Sequence, residues 1–252
     1  RFRPEDAILE ETTRASLNHW CRFDWLDLIV MSGRDSQFMS SQLGTTRCLL
    51  AAEHGAKTLD PATGRWRKRV HSDRSSWFPA ALKTMTDYTS RVPGSHIEKK
   101  QYSVAWHYRN APTEFGEFQA RKLAEELELG LANLPVNILR GKKVIEARAI
   151  EAHKGVFARS YLDSLAPGSF AIAVGDDRTD EDMFSAIRGR GLSFRVGRGA
   201  SAADIALPSQ EDVVEFLDAL FSRLDDRIQE ARTIQRKEGA VLVQQSENHW
   251  QQ

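Results

Sequence analysis

At 252 residues the chain has room for one large domain, or for a core domain carrying an insertion. Hydrophobic residues at 41% and charged residues at 28% give an ordinary globular balance, and the zero formal net charge excludes a broad electrostatic grip on nucleic acid or an anionic membrane. No apolar run approaches the roughly 20 residues that span a bilayer, and the N-terminus has no signal-peptide pattern, so a cytoplasmic location is expected. Cys21 and Cys48, the two cysteines, supply neither a disulfide framework nor a cysteine-rich zinc site and are expected to pack as small apolar side chains.

Glu5 to Cys21 reads as an amphipathic helix, with Ile8, Leu9, Leu17 and Trp20 at roughly helical spacing. Leu26 to Met31 is short and apolar, as a buried parallel strand is. Ser32-Gly33-Arg34-Asp35 then turns into a helix that runs to Leu43 and stops at Gly44. Cys48 to Ala52 reads as a second buried strand and Asp60 to Gly64 as a turn. The middle loses this alternation. Phe78 to Tyr88 and Ala120 to Leu129 read as helices, Ile97 to Tyr108 as one extended strand, and Val136 to Ile145 as a hairpin. Strand–helix alternation returns with a helix His153 to Leu165, strand Phe170 to Val174 and helix Asp180 to Ile187. Strand Leu192 to Val196, a short extended piece Asp204 to Leu207 and helix Glu211 to Leu224 complete it. The pattern predicts an α/β core over residues 1–74 and 146–226, an inserted α+β module over 75–145, and a polar tail over 227–252. The first helix has no strand before it, although in a doubly wound sheet a helix crosses over from an earlier strand.

The chemistry concentrates at strand ends. Gly175-Asp176-Asp177-Arg178-Thr179-Asp180-Glu181-Asp182 follows a buried strand and opens a helix, where ligands of open α/β sheets sit. Two like charges ~4 Å apart repel by about 4 kcal/mol at an effective dielectric of 20, so these acids must reach solvent or share a cation. Oxygen-only donors favour magnesium over zinc. A helix N-terminus decorated with acids would also carry these residues, since the macrodipole favours them. Ser32-Gly33-Arg34 offers a hydroxyl and N–H groups to a phosphate, or else a plain helix cap. Lys154 opens a helix where its ammonium could meet a phosphoryl oxygen or simply solvent. Glu98 and Lys100 share one face of the expected strand and could hold sugar hydroxyls, or pair at a surface. His107 and Arg109 fall on the opposite face of that continuous strand. His54 is a substrate contact or a structural histidine.

Together these motifs resemble the haloacid dehalogenase superfamily of phosphatases, through Ser32, Lys154 and Gly175-Asp176-Asp177. More specifically the chain resembles the trehalose-6-phosphate phosphatase family. The matching stretches include Ile29 to Asp35, Ala52-Glu53-His54-Gly55, Ile97 to Lys100, Trp106 to Arg109, Ile145 to Arg148 and Gly175 to Phe184. The resemblance spans about residues 5 to 220 and implies a Rossmann-like core, a mobile cap and Mg2+ between them. It implies Asp176, Asp177 and Asp180 at the metal, with Ser32, Lys154, Asp176 and Asp180 as the catalytic set. Gly33, Arg34, His54, Glu98, Lys100, Glu146 and Arg148 are implied at a sugar phosphate, and a glycosyltransferase domain as fusion or partner. The family's Asp-x-Asp-Gly-Thr, whose first aspartate is the nucleophile, does not occur in these 252 residues, so they are expected to be inactive alone; the alternatives are a non-catalytic regulatory or scaffolding relative in a trehalose-synthesis protein, or a phosphatase for another sugar phosphate.

Overall fold

A computed structural model describes the backbone of residues 8–71 and 73–249 and the side chains of 8–71 and 73–234. The expected α/β core with an α+β cap is what it shows. Helix α1 spans Glu11–Trp20, later than its periodicity suggests; residues 1–7 lie outside the described set. Strand β1 (Ile29–Met31) pairs parallel with β2 (Leu49–Ala52), in register Val30 to Leu50. Between them α2 (Ser36–Leu43) is capped by Asp35, whose carboxylate accepts the Phe38 N–H at 2.8 Å. Asp35 therefore does the capping that Ser32 could have done, and Ser32 stays on the strand-end loop. The Asp60–Gly64 turn joins two antiparallel strands that no apolar run marks in the sequence, β3 (Lys57–Asp60) and β4 (Arg65–Lys68).

The cap follows. Helices α3 (Phe78–Arg91) and α4 (Thr113–Gly130) bury Phe78, Ala81, Met85 and Tyr88, and Ala120, Leu123, Ala124 and Leu127. Those spacings make one apolar stripe on each helix. The stripes cover one face of a four-stranded antiparallel sheet, ordered β5 (His96–Lys99), β6 (Ser103–His107), β8 (Val144–Ala149), β7 (Val136–Gly141). The single strand expected over Ile97 to Tyr108 is thus a hairpin, turning at Lys100-Gln101-Tyr102 with Lys100 N–H donating to the Ser103 carbonyl. Side chains alternate strictly. Val104, Trp106, Ile145 and Ala147 face the helices, with Trp106 fully buried. Glu98, Ala105 and Glu146 occupy one row on the other face, flanked by His107 and by Ser103 beside Arg148. This polar face meets the core.

The chain then returns through α5 (Lys154–Ser164), β9 (Ala171–Gly175), α6 (Asp180–Ile187), β10 (Gly191–Val196), β11 (Ile205–Leu207) and α7 (Gln210–His249). Past Leu224 the last helix continues into the polar tail, which the sequence also reads as helical. Strands β9, β10 and β11 form a parallel sheet with β9 at its edge, while β1 is the edge of the first sheet. Trp20, Leu217 and Phe221 pack with Leu28 beside β1 and Ile172 of β9, so α1 and α7 support both sheets at once. Neither β1 nor β9 has a second strand partner among the described residues, and Ile29, Val30 and Met31 are only half-buried where β2 is almost wholly buried. Parallel strands in α/β cores are ordinarily covered on both faces and paired on both edges. No helix among the described residues is long and apolar enough to cross a membrane.

Candidate active site

The C-terminal end of β1 runs into Ser32-Gly33-Arg34, and backbone bonds tie this loop to the segment after β2. Ser32 N–H donates to the Ala51 carbonyl at 2.9 Å, His54 N–H to the Ser32 carbonyl at 2.9 Å, and Glu53 N–H to the Arg34 carbonyl at 2.8 Å. Glu53, His54 and Gly55 all have positive φ, at 47°, 59° and 94°. Non-glycine residues pay for that conformation, so it marks a loop held by its surroundings. The His54 ring lies close enough to Gly33 that a Cβ there would sit 2.6 Å from Nε2. Gly33 is thus required by close approach.

His54 is buried, and Nδ1 has no hydrogen-bond partner among the described residues. Burial, followed by the charges of Arg148, Lys154 and Lys100, pushes its pKa from 6.5 down to about 2. A neutral histidine among three cations from both core and cap marks a positive pocket over Gly33. Below pH 6.5 the unfolded chain protonates this histidine and the folded chain does not, so stability is expected to fall as pH drops from 6.5. The His54 contribution has a limiting slope of about 1.4 kcal/mol per pH unit. Urea denaturation of His54→Asn from about pH 7 to about pH 5 should show a flatter profile than the parent; an unchanged slope would contradict the assignment.

The acidic loop resolves its own repulsion. The Asp180 carboxylate folds back, accepting the Asp176 and Asp177 N–H groups at 3.0 Å each through Oδ2 and the Lys154 ammonium at 2.6 Å through Oδ1. Lys154 and Asp180 are 7% and 4% exposed, so this ion pair is sealed from solvent. Gly175 makes room for it, since a Cβ there would meet Asp180 Cγ at 2.2 Å. Asp177 turns inward on the loop, accepting Thr179 N–H and Oγ1 at 2.6 Å. Glu181 pairs with Arg195, and Asp182 with His153. That leaves Asp176, exposed, with no partner for its carboxylate among the described residues. The structure therefore does not bring Asp176, Asp177 and Asp180 onto one point, and no group of three His, Cys, Asp or Glu among the described residues is placed to hold a metal. One free carboxylate oxygen set at the end of a parallel strand fits one side of a hard, oxygen-seeking cation.

From the cap, Lys100 Nζ reaches the Gly33 carbonyl at 3.3 Å and Glu98 at 3.6 Å. Glu98 also binds His107 Nε2 at 2.9 Å, and this hydrogen bond, outweighing burial and aided by Lys100, holds its carboxyl at about 2. His107 therefore shares the Glu98 face, where a continuous strand would have placed it opposite; the hairpin register of His96 with His107 is the reason. Arg148 is 1% exposed, and its Nε and Nη1 have no partner among the described residues. Burial lowers its pKa, against the pull of Glu146, Asp182 and Asp177. Glu146 Oε1 is likewise buried with no partner among the described residues. Arg34 lies over the Phe38 ring at 4.4 Å. Glu53 is a site-supporting residue that no sequence motif singles out. It is 4% exposed, and its carboxylate accepts the Tyr102 N–H at 2.9 Å, docking the cap's hairpin turn on the core. Only Gly55, three residues after a strand's apolar run, hinted at this turn.

Arg148, Lys154 and Lys100 all bear on the buried His54 ring beside Gly33, and Glu98 approaches this loop from the cap through Lys100. The chain matches the family model for trehalose-phosphatase over residues 2–212. It is 37% identical over 162 residues to the UDP-forming alpha,alpha-trehalose-phosphate synthase B of Dictyostelium discoideum, covering 64% of this chain and 20% of that protein. It is likewise 37% identical over 191 residues to a bifunctional trehalose-6-phosphate synthase/phosphatase of Thermoproteus tenax, covering 76% of this chain and 26% of that one. The C-terminal domain of trehalose-6-phosphate phosphatase from C. albicans is a similar solved structure, with TM-score 0.77, 27% identity, and coverage of 88% of this chain and 87% of that one. The chain spans a fifth to about a quarter of the length of these curated relatives.

Proposed function

The chain belongs to the trehalose-phosphatase family, and from that premise we propose that it provides the site for magnesium-dependent hydrolysis of trehalose 6-phosphate to trehalose and phosphate. The observation that carries this reading is the Lys100 contact with Gly33. It joins a cap face carrying Glu98, Glu146 and Arg148 to the loop that would hold the phosphoryl group. A site that grips phosphate below and hydroxyl-rich surface above suits a sugar phosphate.

On this reading Ser32 Oγ, already accepting the Arg34 N–H at 3.2 Å, donates its O–H in a hydrogen bond to a phosphoryl oxygen. Lys154 has two further N–H donors beyond the one spent on Asp180. They balance the charge that develops on the phosphoryl oxygens, and Asp180 holds the ammonium in place. Arg148 supplies a second cation from the cap. Glu98 and Glu146 accept hydrogen bonds from sugar hydroxyls. Asp176 is the residue that would face magnesium, which when bound neutralises phosphoryl charge. Asp177 and Asp180 then shape the loop around it. The aspartate that attacks phosphorus, forming an aspartyl-phosphate, and the acid that protonates the sugar oxygen would enter on a strand between the open edges of β1 and β9. The half-burial of those edges supports this, and residues 1–252 by themselves are expected to be inactive. Longer synthase and bifunctional relatives support a glycosyltransferase domain on the same polypeptide or in complex with it.

Glu98→Ala in the intact polypeptide tests the sugar-reading role. Loss of a charged hydrogen-bonding group of about 1.5–3 kcal/mol should lower kcat/KM on trehalose 6-phosphate roughly 10- to 100-fold. Hydrolysis of a small aryl phosphate should change little. Lys100→Ala should show the same asymmetry, blunted because Lys100 also touches Gly33. Equal losses on both substrates would contradict the assignment, and equal turnover of glucose 6-phosphate and trehalose 6-phosphate would point to another sugar phosphate.

A further inference from the structure

We infer that Cys21 and Cys48 form an oxidisable dithiol, a modification site at which a small peroxide closes an intramolecular disulfide between α1 and β2. These are the two cysteines of the sequence, 27 positions apart, and the fold brings their sulfurs to 3.1 Å with both thiols free. A disulfide bond is about 2.05 Å long, so the sulfurs need close by only about 1 Å. Cys21 caps the C-terminus of α1, and Cys48 immediately precedes β2. Cys48 is 1% exposed, whereas Cys21 is half-buried and opens onto a cavity of about 220 Å3 lined also by Asp27, Arg47, Asp60 and Tyr161. That cavity is wide enough for a peroxide and brings it to Cys21, whose sulfur touches that of Cys48.

The sulfur–sulfur hydrogen bond favours one thiolate. Cys48 is drawn down to about 7 by the bond from Cys21, against burial and with help from Thr46, while the same bond and burial push Cys21 up. The thiolate attacks a peroxide oxygen; the O–O bond breaks, and hydroxide leaves and takes a proton to become water. The resulting sulfenic acid is then attacked by the second sulfur, the S–O bond breaks, and a second water leaves. Two thiols and one hydrogen peroxide become one disulfide and two waters. The staple lies at the end of β1 and β2 opposite Ser32 and His54, so it stiffens the core without touching the substrate pocket. Its chemistry does not depend on the proposed phosphatase activity.

The test treats the reduced, intact protein with about one equivalent of hydrogen peroxide at neutral pH, alkylates remaining thiols and maps the peptides. The expected result is a Cys21–Cys48 cross-linked pair that dithiothreitol reverses, formed about tenfold faster or more in the folded than in the urea-unfolded chain. The oxidised protein should also unfold at a higher temperature. Cys21→Ser and Cys48→Ser should each abolish the cross-link with circular dichroism unchanged; if Cys48→Ser fails to fold, Cys21→Ser at its half-exposed position serves as the control. Alkylation of both thiols after peroxide treatment, or equal cross-linking in the unfolded chain, would overturn the proposal.

Discussion

Replacing Lys154 with Met in the intact polypeptide is expected to lower phosphatase kcat by roughly 10²–10³-fold. It should also cost about 3–5 kcal/mol of folding stability. The two effects share one cause. Lys154 and Asp180 pair at 2.6 Å with almost no solvent, and Asp180 spends its other oxygen on the Asp176 and Asp177 N–H groups. Removing the cation strands a carboxylate in low dielectric, and that carboxylate organises the loop carrying Asp176. Lys154→Arg should restore little, because a planar fork does not fit where a compact ammonium reaches one oxygen. Urea denaturation and phosphate release on the same preparations read both quantities. A variant with normal stability and turnover would mean that the pair is incidental.

Arg148→Met should separate the two quantities. The Arg148 guanidinium is almost wholly buried, and two of its nitrogens have no partner among the described residues. An unsatisfied buried polar group costs about 1–3 kcal/mol, partly offset here by Glu146, Asp182 and Asp177. Methionine keeps much of the volume and removes that cost, so thermal stability should hold or rise by about 1 kcal/mol. Loss of a charge-assisted contact to the phosphoryl group should meanwhile cut kcat/KM by about 10²-fold. A site residue that is strained in the free protein and satisfied by substrate predicts this opposition. If stability and turnover fall together, Arg148 is a structural residue of the cap.

Much of this organisation is legible from residue order. Helix α6 begins at Asp180 and ends at Ile187 as read, because clustered acids suit a helix N-terminus and the apolar spacing is regular. Period-2 alternation sets Glu98 on one face of its strand, but the apolar run that marks β8 ends at Ile145, so Glu146 and Arg148 join that face only through the β6–β8 register. The reading stopped where a turn has no glycine, proline or asparagine. Lys100-Gln101-Tyr102 contains none, so β5 and β6 merged into one strand and His107 was placed on the wrong face. Roles within the acidic loop depend on which carboxylate folds back over Gly175, a choice made by Lys154 26 residues away. Composition cannot rank Asp176, Asp177 and Asp180. Glu53 was hidden for a similar reason, since its partner is a backbone N–H at Tyr102, 49 positions on.

On the proposed reading the cap's polar face and the Ser32-Gly33-Arg34 loop of the core form one site for a disaccharide phosphate. Phosphate release from trehalose 6-phosphate by the intact polypeptide, assayed with magnesium and again after chelation, tests it most directly. The account predicts turnover that needs the metal and exceeds that on glucose 6-phosphate. No release from trehalose 6-phosphate at saturating magnesium, by folded intact protein, would contradict it.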